Sequence, residues 1–327
     1  MSNRRLDITP VSSPLKAAFA ISRGSKTSAE TVRVRVQQGD RTGWGECVPY
    51  GRYGETIESV TATIETLREA LEAGLTRADL QAQMPAGAAR CAVDCALWDL
   101  EAKMTGTPVW QLAGLPEPKP VETAVTVSLD TPEKMAEAAR AIRGQLLKLK
   151  LGGAEDLKRI EAVHVARPDA RLIVDGNEGL VPAEFPNISR AAAALGVVLI
   201  EQPFPAGDDA ALERRPGPVA ICADESAHTT ADIQDLARRY DAVNVKLDKA
   251  GGLTEALAMV RAAKACGMGV MVGCMVAGSL SMAPAVLLAG LCDAADLDGP
   301  LWLKDDVAHG LTYRDGMVEP PSSGLWG

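Results

Sequence analysis

Three short segments each deliver an acid at the end of an apolar run. "LIVDGNEG" carries Asp175 and Asn177, "LIEQPF" carries Glu201, and "ICADES" carries Asp224 and Glu225. Asp175, Glu201 and Asp224 together are an all-oxygen set of hard donors, which suits Mg²⁺ with positions left open for water or substrate. Taken singly, each acid reads as a turn former or helix-start residue. Three of them on successive apolar runs favour the metal. A second set is cationic. "KLKLGG" places Lys148 and Lys150 two residues apart, so on a strand both ammonium groups point to one side. "NVKLDKAGG" carries Lys246 at the end of another run. A buried lysine near other cations has its neutral amine favoured and can act as a base. One lysine on each face of a carbon can remove a proton from one side and return it on the other, which is the chemistry of a racemase or epimerase.

The elements around these residues alternate. From about residue 120, eight apolar runs recur: "VTVSL", "LLKLKL", "RLIVDGN", "GVVLIEQPF", "VAICADES", "AVNVKLDKAGG", "GVMVGCMV" and "ADLDGP". Helical patterns such as "TPEKMAEAARAIRG", "AEDLKRIEAVHVA", "TTADIQDLARRY" and "TEALAMVRAAKACG" lie between most of them. Alternating strand and helix implies parallel βαβ units, and eight strands imply a closed β/α barrel. An open doubly wound sheet loses ground because no G-x-G-x-x-G follows the first strand. In such a barrel, chemistry sits at the C-terminal strand ends, where the acids and lysines fall. Strands two and six then lie on opposite sides of a metal held by strands three to five.

Residues 1 to about 115 read as α+β. "TVRVRVQQGDRTGWGEC" alternates on both sides of Gly-Asp, a hairpin. "GETIESVTATIETLREALEAG" reads as a helix ending at Gly74, and "AARCAVDCALWDLEAKMTG" as a buried one. The chain has 327 residues and a formal net charge of −9, with no basic run, so nucleic acid is not an expected partner. No apolar span reaches membrane length and no secretory signal is read at the start. Seven scattered cysteines without C-x-x-C read as reduced thiols of a cytoplasmic protein. Three histidines without ligand spacing lend no support to zinc.

In order, K-x-K, D-x-N, E-Q-P, A-D-E-S and N-V-K-x-x-K-x-G-G resemble the enolase superfamily, in its muconate lactonizing enzyme subgroup. The similarity covers nearly the whole chain. It implies a modified (β/α)₇β TIM-like barrel over residues 116–308, an N-terminal α+β capping domain over 1–115, and a C-terminal tail, 309–327, returning to the cap. "RYGETIESV" and "AARCAVDCALWDLEAKMTGTPVWQLAGL" stand where the family has its capping loop and capping helix. The superfamily's mechanism, a Lys or His base with Mg²⁺ stabilising an enediolate, comes with the resemblance and not from the spacing.

Within the superfamily, "DLDGP" resembles dipeptide epimerases such as L-Ala-D/L-Glu epimerase. Asp296 and Asp298 are again two apart, and two carboxylates suit an ammonium group. A helix-start cluster is the plainer reading. The resemblance implies that Lys150 and Lys246 are the acid/base pair and that Lys148 sits beside the substrate carboxylate. It also implies that Thr126 lines the pocket and that Cys274 and Val276 offer backbone groups. Arg23, in "ISRGSK" on a mobile capping loop, would pair with an acidic side chain on the second residue, and Lys26 is a candidate for the same role. The expected activity is Mg²⁺-dependent epimerisation of L-Ala-L-Glu and L-Ala-D-Glu, suited to recycling of bacterial cell-wall peptides, by a chain that can form a homo-oligomer. Rival readings are an N-acylamino acid racemase, an o-succinylbenzoate synthase or a cycloisomerase on the same scaffold. An acid-sugar dehydratase and a non-catalytic binding barrel are more remote.

Overall fold

The computed structural model describes residues 4–153 and 155–327. Three antiparallel strands open the chain: β1 (Arg4–Ile21), β2 (Gly24–Gln38) and β3 (Arg41–Cys47). The alternation in "TVRVRV" buries Val32, Val34 and Val36 and turns Arg33 and Arg35 to the other face. Gln38 pairs with Arg41, so the β2–β3 turn is Gly39-Asp40, as expected, with Gly39 at φ 61°. The expected loop at "ISRGSK" is instead the tip of a second hairpin. Ile21 pairs with Gly24, leaving Ser22-Arg23 as a two-residue turn, and Gly24 takes φ 139°.

The helix expected over "GETIESVTATIETLREALEAG" is two helices, α1 (Ile57–Glu65) and α2 (Arg68–Ala73). Threonine hydroxyls divide it: Thr63 donates to the Ser59 carbonyl at 2.8 Å and Thr66 to the Thr63 carbonyl at 2.7 Å. Such back-bonding competes with the helical ladder. Gly74, at φ 111°, ends the second helix as expected. Then come α3 (Arg77–Gln83), α4 (Ala88–Thr105) and α5 (Val109–Leu112). Nearly all of α4 is buried. It lies directly on β3 because glycines meet alanines there: a Cβ on Gly45 would stand 2.0 Å from the Ala92 carbonyl oxygen, and one on Gly43 2.1 Å from that of Ala96.

After β4 (Val121–Glu122) come eight barrel strands: β5 (Val125–Val127), β6 (Leu146–Lys150), β7 (Arg171–Asp175), β8 (Val197–Glu201), β9 (Ala220–Ala223), β10 (Ala242–Lys246), β11 (Gly269–Gly273) and β12 (Ala294–Asp296). They pair in chain order as one parallel sheet; seven fall within the expected runs, and β12 begins one residue before "ADLDGP" and ends at its second residue. The Ala124 N–H donates to the Ala295 carbonyl at 2.7 Å, bringing the first and last strands together. The fold is thus a nearly closed β/α barrel with a separate antiparallel N-terminal sheet. Helices α6 (Pro132–Ala141), α7 (Asp156–Ala166) and α8 (Phe185–Ala194) follow β5 to β7. A 3₁₀ turn, Ala210–Arg214, follows β8. The helix expected over "TTADIQDLARRY" is a 3₁₀ turn, Thr230–Asp232, and a single helical turn, α9 (Ile233–Leu236). Helices α10 (Leu247–Ala250) and α11 (Leu253–Ala265) follow β10, and α12 (Ser279–Ala289) follows β11.

The last strands are β13 (Tyr313–Arg314) and β14 (Met317–Val318), and β14 pairs with β4. Beyond them the chain reaches the N-terminal helices. The Trp326 indole donates to the Trp44 carbonyl at 2.9 Å, and the Gly327 N–H to Asp99 at 2.8 Å. No helix among the described residues is long and apolar enough to cross a membrane.

Candidate active site

Strand register aligns the chemistry. Lys150 pairs with Asp175, and Asp175 with Glu201, so a lysine and two acids stand at one level on β6, β7 and β8. Asp224 follows β9 directly, and Lys246 ends β10 at the level of Asp296 on β12. The carboxylates of Asp175, Glu201 and Asp224 are buried, and one oxygen from each lies within 4.8 Å of the others. Lys148 and Lys150 do point the same way: their Nζ atoms lie 3.3 and 2.6 Å from the same oxygen, Asp175 Oδ2. Lys148 also reaches Glu201 Oε2 and Asp296 Oδ2, both at 2.7 Å. Lys246 lies 2.7 Å from Asp224 Oδ2, on the opposite side of the acids.

Electrostatics follow from this crowding. Burial works against the charge on Asp175, but Lys150 and Lys148 hold it below the usual carboxylate range. Asp224 is likewise held down, by Lys246 and Lys249 against its burial. Glu201 goes the other way: burial and the neighbouring Asp175 push it up to about 8, against Lys148. Burial opposes the charge on Lys148 and Lys246, yet the carboxylates, Asp296 first for one and Asp224 for the other, hold both above the usual lysine range. The amines therefore keep their protons while only carboxylates face them. Glu201 Oε2 is buried and faces Lys148 Nζ at 2.7 Å. A buried, oxygen-only triad whose oxygens converge within 4.8 Å, with one carboxyl driven towards neutrality by the others, fits a hard divalent cation.

A cavity of about 410 Å³ opens above the acids. The β1–β2 hairpin covers it with Phe19, Ile21, Arg23 and Lys26, and the segment after β3 adds Tyr50 and Tyr53. From the barrel come Lys150, Asp224, Lys246, Cys274 and Val276. Lys150 Nζ and Lys26 Nζ lie 5.9 and 6.0 Å from the Phe19 ring centroid. Lys26 makes no ion pair or side-chain hydrogen bond among the described residues, and burial, with Lys150 and Lys246, lowers its pKa against Cys274 and Asp248. Burial and the carboxylates of Asp224 and Asp175 raise that of Glu225, against Lys246 and Arg23.

Not every expected residue reaches the cavity. Lys148, Asp175 and Glu201 are fully buried beneath it. Asp296 turns one oxygen to Lys148 at 2.7 Å, and its other oxygen has no partner. Asp298 lies past the end of β12, so the period of two no longer sets its direction. It accepts from the Thr126 N–H at 2.7 Å and the Trp302 indole at 3.3 Å. Thr126 is buried with it. Arg23 lines the cavity but binds protein groups, Glu225 among them at 2.7 Å.

Three supporting residues escaped the sequence reading. Asn244 donates to Glu201 Oε1 at 2.8 Å; it stands two before Lys246, a spacing that would have found it. Lys249 lies 2.6 Å from Asp224 Oδ1 and also bonds the Asp224 carbonyl. Gln202 accepts from the Asp224 N–H at 2.8 Å. Helix α4 braces the turn that carries Lys249: Arg90 donates to the Ala250 carbonyl at 2.7 Å, and Asp94 accepts from the Thr254 N–H at 2.9 Å.

Residues 4–114 match the mandelate racemase / muconate lactonizing enzyme N-terminal domain, and residues 131–325 the enolase C-terminal domain-like family. The chain belongs to the mandelate racemase / muconate lactonizing enzyme family of the enolase superfamily. Its relatives include the L-Ala-D/L-Glu epimerase of Escherichia coli (strain K12), 46% identical over 93% of this chain and 96% of that protein. An N-acetyl-D-glutamate racemase from a Pseudoalteromonas species is 43% identical over 87% of this chain and 91% of that protein. A crystal structure of an enolase family member from Agrobacterium tumefaciens, with homology to dipeptide epimerases, holds sodium and L-Ala-L-Glu with an ordered loop. It superposes with a TM-score of 0.96 at 51% identity, covering 99% of this chain and 100% of that one. A dipeptide epimerase from Enterococcus faecalis V583, complexed with Mg and L-Leu-L-Tyr, superposes with a TM-score of 0.93 at 28% identity, covering 100% of this chain and 99% of that one.

Proposed function

We infer that the protein is a Mg²⁺-dependent dipeptide epimerase that interconverts L-Ala-L-Glu and L-Ala-D-Glu at the α-carbon of the second residue. One observation carries the reading: Lys150 and Lys246 enter one cavity from opposite sides of the Asp175, Glu201 and Asp224 carboxylates. One lysine takes the α-proton and the other returns a proton to the opposite face. Asp175, Glu201 and Asp224 would hold the metal. When bound, Mg²⁺ supplies positive charge that favours neutral amines and offsets the second negative charge left on the substrate carboxylate by loss of the α-proton. Lys148, ion-paired beneath the acids, adds fixed positive charge there. Cys274 and Val276 line the wall facing the hairpin.

The glutamate side chain is assigned to Lys26. Arg23 is committed to Glu225 and Glu178, whereas Lys26 faces the cavity without a carboxylate. Burying an unpaired ammonium is unfavourable, so an incoming carboxylate is bound with gain. Asp296 and Asp298 would take the substrate ammonium. Residues 1–115 are taken as the cap, 116–308 as the barrel and 309–327 as the tail that ties them, supported by the contact of Trp326 with Trp44.

The test is incubation with Mg²⁺ and L-Ala-L-Glu in D₂O, following the glutamate α-proton by NMR. Loss of that signal with growth of the L-Ala-D-Glu diastereomer is expected. A second reading is racemisation of an N-acylglutamate, favoured by the positions of Asp296 and Asp298, which Lys148 and Thr126 engage outside the cavity lining. Exchange with N-acetyl-L-glutamate but not with L-Ala-L-Glu would replace the first reading by the second.

A further inference from the structure

Gln202 is fully buried, directly after Glu201 at the end of β8, and it joins the loops that carry all three proposed metal ligands. Its carbonyl accepts from the Glu178 N–H, in the loop after Asp175, at 2.9 Å. Its side-chain oxygen accepts from the Asp224 N–H at 2.8 Å and the Ser226 N–H at 3.1 Å. Its φ is 30°, a left-handed value that a residue with a side chain keeps only where its surroundings hold it.

What holds the side chain lies away from the cavity. The Gln202 amide nitrogen faces the Phe204 carbonyl at 2.8 Å and the hydroxyls of Ser226 and Tyr240, both at 2.9 Å. Both hydroxyls donate to one acceptor, Asp209 Oδ2, at 3.0 Å from Ser226 and 2.5 Å from Tyr240. With their protons committed, they present lone pairs to Gln202. Its NH₂ must then face them, and its oxygen must face the two N–H groups. The Asp209 side chain is 1% exposed, and its other oxygen pairs with Arg239 at 3.2 Å. Burial and the bond to Asp209 hold the Tyr240 phenol above its ordinary range, so it stays a donor. A carboxylate accepts and does not donate, so Asp209 sets the direction of every bond in this network. An amide at 209 can offer N–H to the hydroxyls, which frees Gln202 to turn over and point NH₂ at two N–H donors. Neither Asp209 nor Tyr240 lines the cavity.

We propose that Asp209 and Tyr240 are positioning residues that fix the direction of the Gln202 amide and, through it, the backbone that carries Glu201 and Asp224. The inference rests on the metal site of the proposed function and extends it to residues that touch neither metal nor substrate.

The test titrates Mg²⁺ into the metal-free, full-length protein by calorimetry and compares it with Tyr240→Phe and Asp209→Asn. Each variant should bind Mg²⁺ about tenfold more weakly, the low end for loss of a group that orients metal ligands. With L-Ala-L-Glu, activity lost at low Mg²⁺ should return in excess Mg²⁺. Ser189→Ala is the control for general loosening. It removes the hydroxyl that accepts from the Val219 N–H at 3.2 Å, beside the other end of β9, and should leave Mg²⁺ affinity unchanged. Hydrogen–deuterium exchange of the metal-free protein gives a readout without metal or substrate. The Asp224 and Ser226 amides should exchange faster in Tyr240→Phe and Asp209→Asn than in the wild type. Unchanged Mg²⁺ affinity in both variants would overturn the inference, as would an equal loss in Ser189→Ala. If the wild type takes up no Mg²⁺, the metal reading fails. The exchange result then decides the positioning role, and unchanged exchange in both variants overturns it.

Discussion

On the proposed mechanism Lys150 and Lys246 do different work on one carbon, and single variants should separate them. With one lysine gone, the other can still remove and return a proton on its own face, so solvent deuterium enters without inversion. Lys150→Ala and Lys246→Ala should each lose epimerisation by about 10³-fold, within the usual range for a general acid or base. Each should keep α-proton exchange for one diastereomer only, and the two variants should differ in which. NMR in D₂O reads both quantities; exchange of the same diastereomer by both variants would sink the two-face assignment. Lys26→Met should raise KM for L-Ala-L-Glu about tenfold or more while an uncharged second residue is less affected, because Lys26 lines the cavity and forms no ion pair among the described residues. Steady-state kinetics on the two peptides measure the ratio.

Element packing sets how firmly the cap is built. The close approach of α4 to β3 leaves no room at Gly45, where an added Cβ meets the Ala92 backbone at 2.0 Å. Backbone cannot rotate aside, so Gly45→Val should destabilise by about 3 kcal/mol, the upper end for overpacking. Urea unfolding measures it, and an unchanged midpoint would refute the packing account. Helix α4 also meets the barrel through Asp94, which is fully buried and accepts from Thr254 and Gln81. Burial pushes its carboxyl up to about 6, against the Thr254 hydrogen bonds. The folded state thus holds the proton more tightly than the unfolded chain. This group's contribution is fully present below about pH 4 and is lost as pH rises through 6, by about 3 kcal/mol. The stability difference between the wild type and Asp94→Asn should therefore change between pH 4 and pH 7; a constant difference would show that Asp94 does not titrate in that window.

At the scale of the whole molecule, cap and barrel share one site, so ligands should stabilise both together. Mg²⁺ bound between Asp175, Glu201 and Asp224, as proposed, would relieve their repulsion in the folded chain alone. At 100 times its Kd it should add about 2.7 kcal/mol of stability. Calorimetry with Mg²⁺ against a chelator should show one transition moving up by a few degrees. A transition that ignores the metal would count against the triad as its site.

Much of the site was legible because strands report direction by a period of two. Lys148 with Lys150, and the acid ending each run, needed only that rule and the placement of barrel chemistry at C-terminal strand ends. The eight runs were legible because parallel strands are buried on both faces and read as continuous apolar stretches. Other features lay outside any local rule. Threonine back-bonding split one expected helix, and Asp298 fell past the end of its strand, where alternation no longer applies. Above all, Arg23 and Lys26 look alike in "ISRGSK". Which one is ion-paired within the protein depends on carboxylates at 178 and 225, more than 150 residues away. The sequence by itself determined the kinds of groups present and the level at which each strand offers them. Only the tertiary structure decided which charges pair and which are left facing the cavity, because pairing depends on distances that chain order does not contain.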